Sequence, residues 1–362
     1  RRTQLFQAAL ARAGRPAARV VSFVDLLREK TIITDHISAT TVVRVDSPGK
    51  DFETERALLH AGVEAASGEH FAVITHEEIN RLEFERGLIL HPRQWYLGLC
   101  KALRIIEPQL PDCFLMNSLS DIALMFDKPR CHAVLKTQGI PVAGSLGEIE
   151  SFDDLQRRMM ETGCARVFLK LAHGSSASGM IAYQTNGAKH RATTTVEGEK
   201  RGDKLRLYNS RRIRVYEDVG EIAQLVDELC RHRVYVEQWL PKAGIDGRTF
   251  DLRIVVIARR AMHAVVRLGR HPMTNLNLLG GRGNLEQVLQ RIGSAGWTKI
   301  QRTCEQVMTT CFPKSLYAGI DLRISPDYQH HQVLEVNAFG DLLPNVLCNG
   351  RDTYETEIAA ML

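Results

Sequence analysis

The stretch YAGIDLRISPDYQHHQVLEVNAFGDLLPN, residues 317–345, decides how the chain is read. Side chains alternate faces along a strand, so Glu335 and Asn337 project together from one strand beside Asp321 on its neighbour. Leu322, Leu334 and Val336 are left for the core. Two carboxylates and an amide oxygen are hard donors of the kind that hold Mg²⁺, with waters and substrate phosphates completing its shell. Strand-end polar residues that simply face solvent would give the same short pattern.

Composition bounds the rest. With 362 residues, 44% of them hydrophobic, the chain has room for two or three domains with real cores. A formal charge of +5 favours acidic ligands slightly and falls short of a nucleic-acid-binding balance. The eight cysteines lie at no zinc or disulfide-framework spacing, which predicts reduced thiols and a cytoplasmic setting. No apolar run reaches the roughly 20 residues of a membrane span, and no secretory signal opens the chain, so a membrane partner is not expected. The chain begins at Arg1 rather than Met, which leaves room for an upstream segment. Nothing fixes the number of copies, and a homo-oligomer is compatible with the sequence.

Upstream of the quoted stretch, LFQAALARAG has helical spacing, and ARVVSFVDLL predicts a buried strand entering a helix, an α/β opening. Residues 52–67 predict a helix, FAVITH and LIL short strands, and WYLGLCKALRII a further helix ending before Pro108. No Gly-x-Gly-x-x-Gly follows the first strand, which removes support for a dinucleotide fold. A helix from about Asp121 carries Lys128, and a second amphipathic helix follows it.

The strand ARVFLKLA then places Lys170 among apolar neighbours, costly unless its ammonium reaches an anion. The loop HGSSASGM follows at once. Gly174, Ser175, Ser176, Ser178 and Gly179 let backbone N–H groups approach phosphate oxygens, although Gly/Ser loops are also ordinary turns. Residues 184–215 are the most basic window. They predict a solvated hairpin, with attraction of an acidic substrate as the alternative. Beyond VYVEQWLP come two strands joined near Arg259 and Arg260, where Asp251 and Arg253 share a face and suit a simple ion pair. Arg267 ends the second strand, and an amide- and glycine-rich loop runs to a helix at Leu285.

The order of these features resembles the ATP-grasp superfamily over residues 115–345, and within it the branch of the ribosomal-protein glutamate ligase. The features are DK, an apolar strand with Lys, a Gly/Ser loop, VEQWL, DLR, an arginine strand, an Asn-rich loop and D…ExN. The resemblance implies an ATP-grasp fold of α/β and α+β class. Its parts are an N-terminal α/β domain (1–120), a central subdomain (121–236) and a C-terminal subdomain with the metal site (237–362), the latter two gripping ATP. It implies that Lys128 and Lys170 contact ATP phosphates and that Gly174, Ser175, Ser176 and Gly179 cover them. Gln238, Trp239 and Leu240 would form the adenine-gripping hinge, Asp251 and Asn275 would contact the nucleotide, and Arg267 would stabilise an acyl phosphate. Asp321, Glu335 and Asn337 would bind one or two Mg²⁺ ions, with Mn²⁺ as a substitute. The implied activity joins a small-molecule or peptide carboxylate to an amine, releasing ADP and phosphate. A kinase acting on a hydroxyl and a silent ATP-binding module are the alternatives. The chain departs from the glutamate ligases at Met273, where they carry arginine, and at Leu278 and Leu279, where they carry His-Arg. Glutamate addition therefore does not follow.

Overall fold

The computed structural model describes residues 1–361 apart from 29–31, 50, 111–112, 176, 203 and 275–279. Its helices are α1 (Arg2–Arg12), α2 (Phe23–Leu27), α3 (Phe52–Ala66), α4 (His76–Asn80), α5 (Pro92–Ile106), α6 (Leu119–Phe126), α7 (Lys128–Thr137), α8 (Phe152–Glu161), α9 (Val219–Cys230), α10 (Leu285–Gln306) and α11 (Thr353–Met361). A short parallel pair, β1 (Val42–Val43) and β2 (Phe114–Leu115), belongs to the N-terminal stretch. Two six-stranded antiparallel sheets follow, which makes the remainder α+β.

The first large sheet is built from β3 (Ser145–Ile149), β4 (Arg166–Leu171), β5 (Ile181–Thr185), β6 (His190–Arg201), β7 (Lys204–Tyr216) and β8 (Val234–Gln238), in the order β3-β8-β4-β5-β6-β7. The second contains β9 (Gly244–Ile245), β10 (Arg248–Ile257), β11 (Arg260–Gly269), β12 (Gly281–Gly283), β13 (Tyr317–Ile324) and β14 (His331–Asn337). Its order is β12-β11-β10-β13-β14, with β9 on β10.

Alternation divides the second sheet chemically. Leu252, Ile254, Ile320, Leu322 and Val336 are buried in a core shared with α6, α7 and α10. The opposite face carries Asp251, Arg253, Arg267, Asp321 and Glu335, aligned by the pairings Asp251↔Arg267, Arg253↔Asp321 and Asp321↔Glu335. At one end of this face Val255, Ile257, Val265 and Tyr317 pack with Phe6 and Tyr354 of α1 and α11. The first sheet has its own core, in which α8 and α9 contribute Phe152, Leu155, Ile222 and Leu225.

Several local expectations fail for identifiable reasons. Residues 17–22 form no strand: Val20 is exposed, and Ala18 exchanges both backbone hydrogen bonds with the Gln7 side chain. FAVITH is likewise not a strand, because the buried Gln94 amide bonds the N–H and C=O of Ile74. LIL makes only a bridge from Leu88 to Tyr208. Leu334 is not a core residue. A bulge skips it, pairing Glu335 with Asp321 and Val333 with Leu322, and Val333 takes the buried position. Lys128 does not ride on the preceding helix. Asp127 breaks the run and caps α7 through the N–H of Arg130, and Pro129 suits the first turn, so Lys128 opens the second helix.

Candidate active site

Lys128 and Glu335 meet across the gap between α7 and β14, with Nζ 2.9 Å from the carboxylate. The same ammonium donates to the carbonyl of Gly174 at 2.5 Å, and the Lys128 N–H bonds the carbonyl of Ala172. The base of the Gly/Ser loop is thereby fastened to the start of α7. Within the loop the N–H groups of Gly174 and Ser178 close local turns on Leu171 and Ser175. Gly179 has φ +66°, and a Cβ there would lie 2.3 Å from Leu171. Only glycine fits that corner. Ser176 lies outside the described residues.

Behind the loop His173 is fully buried, stacked on Tyr96 with ring centroids 4.0 Å apart and 3.4 Å from Asp127. Burial pushes its pKa down to about 4 against the pull of Asp127. Arg233 bridges Asp127 at 2.9 Å and Glu148 at 2.6 Å.

Lys170 shows how a cation is carried inside an apolar strand. On β4 it faces Tyr235 of β8, diagonal to Glu237, and Nζ reaches that carboxylate at 2.6 Å. Both side chains are buried. Lys128, Glu237 and Glu335 line one narrow crevice with His132 and Cys131. Burial raises Cys131 to about 12, which removes it as a thiolate nucleophile. Next along β8 the N–H groups of Gln238 and Trp239 are bonded within the protein, to Gly144 at 2.8 Å and Arg166 at 3.0 Å. The Trp239 ring lies 5.4 Å from that of Phe168.

The polar face of the second sheet forms a continuous buried ion network. Arg267 is clamped between two carboxylates, Nε to Asp251 at 2.6 Å and Nη2 to Asp321 at 2.9 Å. Burial alone would lower its pKa, and Asp321 and Asp251 reverse that and hold it raised. Asp251 also takes Lys242 at 3.2 Å and the Thr274 hydroxyl. The expected Asp251–Arg253 pair does not form. Arg253 instead spans both oxygens of Asp321, with Nη2 at 2.8 Å, because cross-strand neighbours meet more closely than residues two apart on one strand. Burial would raise the Asp321 carboxyl, and Arg253 with Arg267 keeps it lowered. Lys242 gave no sequence signal beyond following Pro241. Burial lowers its pKa, which only its fold neighbours reveal. Asn275 lies outside the described residues, as do Leu278 and Leu279, while Met273 is buried.

Asp321, Glu335 and Asn337 do share one face of adjacent strands, since Gly319 pairs with Asn337 and Asp321 with Glu335. A Cβ on Gly340 would lie 2.4 Å from Gly319, so two glycines let the chain fold back just after Asn337 and fix the end of β14. The donors fit a hard divalent ion in kind. Among the described residues no group of three or more His, Cys, Asp or Glu side chains is arranged for a metal, and the third donor here is an amide.

The basic window is a hairpin, as expected, and much of its charge is spent locally. Arg206 and Arg201 pair with Glu85, Arg191 with Glu217, and Arg214 with Glu197. Among the described residues all eight cysteines are free, and no helix is long and apolar enough to cross a membrane.

No protein-family model matches the chain, and no curated protein matches it. Among solved structures it is similar to the D-cycloserine synthetase DcsG, with 12% identity and a TM-score of 0.48 over 88% of this chain and 98% of that one. It is also similar to the VanG D-Ala:D-Ser ligase from Enterococcus faecalis, at 14% and 0.45 over 72% and 68%. The ATP-grasp ligase PsnB, complexed with a phosphomimetic variant of its minimal precursor, Mg and ADP, matches at 16% and 0.42 over 89% and 98%.

Proposed function

We propose that this chain is an ATP-grasp ligase that joins a carboxylate to an amine through an acyl phosphate, releasing ADP and phosphate. The observation that carries this reading is the gathering of Lys128, Glu237 of the first sheet and Glu335 of the second around one crevice. Lys128 pairs with Glu335 across α7 and β14, Lys170 with Glu237 within the first sheet, and Arg253 and Arg267 with Asp321 within the second, so charge gathers where the two sheets meet. Such junctions are where small-molecule sites concentrate.

Phosphoryl transfer demands positioning and charge neutralisation more than any side-chain nucleophile. Lys128 and Lys170 would hold the nucleotide phosphates, and the loop from Gly174 to Gly179 would exclude water from them. Asp321, Glu335 and Asn337 would hold Mg²⁺, which supplies charge to the phosphates when bound. Arg267, fixed from both ends, would face the acyl phosphate. The substrate carboxylate oxygen takes the γ-phosphoryl and ADP leaves. The amine nitrogen then attacks the acyl carbon, phosphate departs with that oxygen, and the nitrogen loses a proton. Asp251 is fully engaged by Arg267, Lys242 and Thr274, so in this reading it positions cations rather than touching nucleotide. The same reading divides the chain near residues 120 and 236 into an N-terminal part and two subdomains. The buried Met273 supports an acceptor pocket more apolar than that of the glutamate ligases.

The test is Mg²⁺-ATP turnover against a panel of carboxylates and amines, with the carboxylates labelled with heavy oxygen. Label in the released phosphate is the expected result. ADP formation with a phosphorylated product and no free phosphate would replace the ligase by a kinase.

A further inference from the structure

The cations and the carboxylates of the site neutralise one another. Each group assigned to a metal, Asp321 or Glu335, is held by a group suited to an anion, Arg253 and Arg267 or Lys128. A divalent ion approaching Asp321 must therefore compete with guanidinium groups for the same two oxygens. The two arginines differ in what happens next. Arg267 keeps a second anchor, Asp251, at 2.6 Å. Arg253 has no other carboxylate among the described residues, and it is the more exposed of the two, at 18% of its side chain against 11%.

We propose that Arg253 stands in for the metal: its guanidinium occupies Asp321 until a divalent ion takes the carboxylate, and is then released toward the anionic substrate. The inference rests on the metal assignment to Asp321, Glu335 and Asn337. It gives Arg253 a part that neither motif order nor spacing assigns. Metal loading and substrate binding are coupled through one side chain, so each favours the other by the same factor. A guanidinium matched to a carboxylate in this way is bidentate, a geometry that lysine cannot reproduce.

The experiment measures Mn²⁺ binding to the whole protein without nucleotide, by electron paramagnetic resonance of the free ion, for the wild type and for Arg253→Gln, Arg253→Lys and Glu335→Ala. Arg253→Gln should bind Mn²⁺ more tightly by about tenfold, since one competing charge a few ångströms away is gone. Arg253→Lys should fall between it and the wild type. Glu335→Ala should bind more weakly. Thermal melting checks that each variant is folded, and Arg253→Lys provides the test if Arg253→Gln does not fold. If Glu335→Ala weakens Mn²⁺ binding but neither folded Arg253 variant strengthens it, the competition is refuted and the metal site stands. If Mn²⁺ binds no variant and not the wild type, the metal assignment and the inference fall together.

Discussion

The hairpin β6–β7 and the strands β10, β11 and β13 are both rich in arginine, and they use it oppositely. On the hairpin, Arg191 and Glu217 meet at 3.0 Å with half or more of each side chain exposed. Such pairs contribute about 0–1 kcal/mol and are screened by salt. On the C-terminal sheet, Arg267 lies between Asp251 and Asp321 with both carboxylates almost wholly buried. Desolvated charges are costly singly and hold one another in place. Charge density along the sequence therefore marks a solvated hairpin, as expected, and does not by itself single out Arg267. What separates the two sets is how far the paired groups are removed from water.

The comparison is broken most sharply at Arg267. Arg267→Ala leaves Asp251 and Asp321 each short of a partner in a buried setting and should destabilise the fold by about 3–5 kcal/mol, read by urea denaturation. A loss under 1 kcal/mol would put this network in the class of the hairpin.

A second buried group tests the same principle through pH. His173 is held neutral, at about 4 against the ordinary 6.5, by burial and by Arg93 and Arg233, against the pull of Asp127. Because the folded value is the lower one, the unfolded chain binds more protons between those limits. Stability should fall by up to about 3 kcal/mol as pH drops from 6.5 to 4, and be flat in this respect above 6.5. The wild-type stability curve should show this fall over that range, and that of His173→Gln should lack it.

Glu335 separates function from stability. Its side chain is 32% exposed, so Glu335→Ala should fold normally while substrate-dependent ATP turnover falls by at least about a hundredfold. Lys170→Ala should also lose turnover, but it leaves buried Glu237 unpaired and should lower the melting temperature, which Glu335→Ala should not. The smallest effect is expected at the hairpin, where Arg191→Ala should change stability by no more than about 0.5 kcal/mol in the same denaturation assay.

The elements that were legible have strong local signals. Residues 52–67 and 92–106 carry helical periodicity with caps or an N-terminal proline, and Lys170 stands out as a charge in an apolar strand. Residues 17–22 and 71–76 were misread because their apolar content resembles a strand, while the partner that satisfies their backbone is a glutamine side chain, 11 and 20 residues away, on a helix. Lys242 and Arg253 were missed as site residues for a related reason. Their partners, Asp251 and Asp321, are set by cross-strand register and loop crossing, neither of which has a local signature.

The alternation that puts Asp321, Glu335 and Asn337 on one face is already written in the order of residues. So are the glycines that allow the loop after Lys170 and the fold-back after Asn337. These follow from the two-residue period of a strand and from the space a Cβ would need. Which charges pair was settled by the folded arrangement of the strands. Pairing depends on which strands become neighbours and on which faces lose water, and in a buried setting those two conditions set the partner, the protonation state and the cost of removing it.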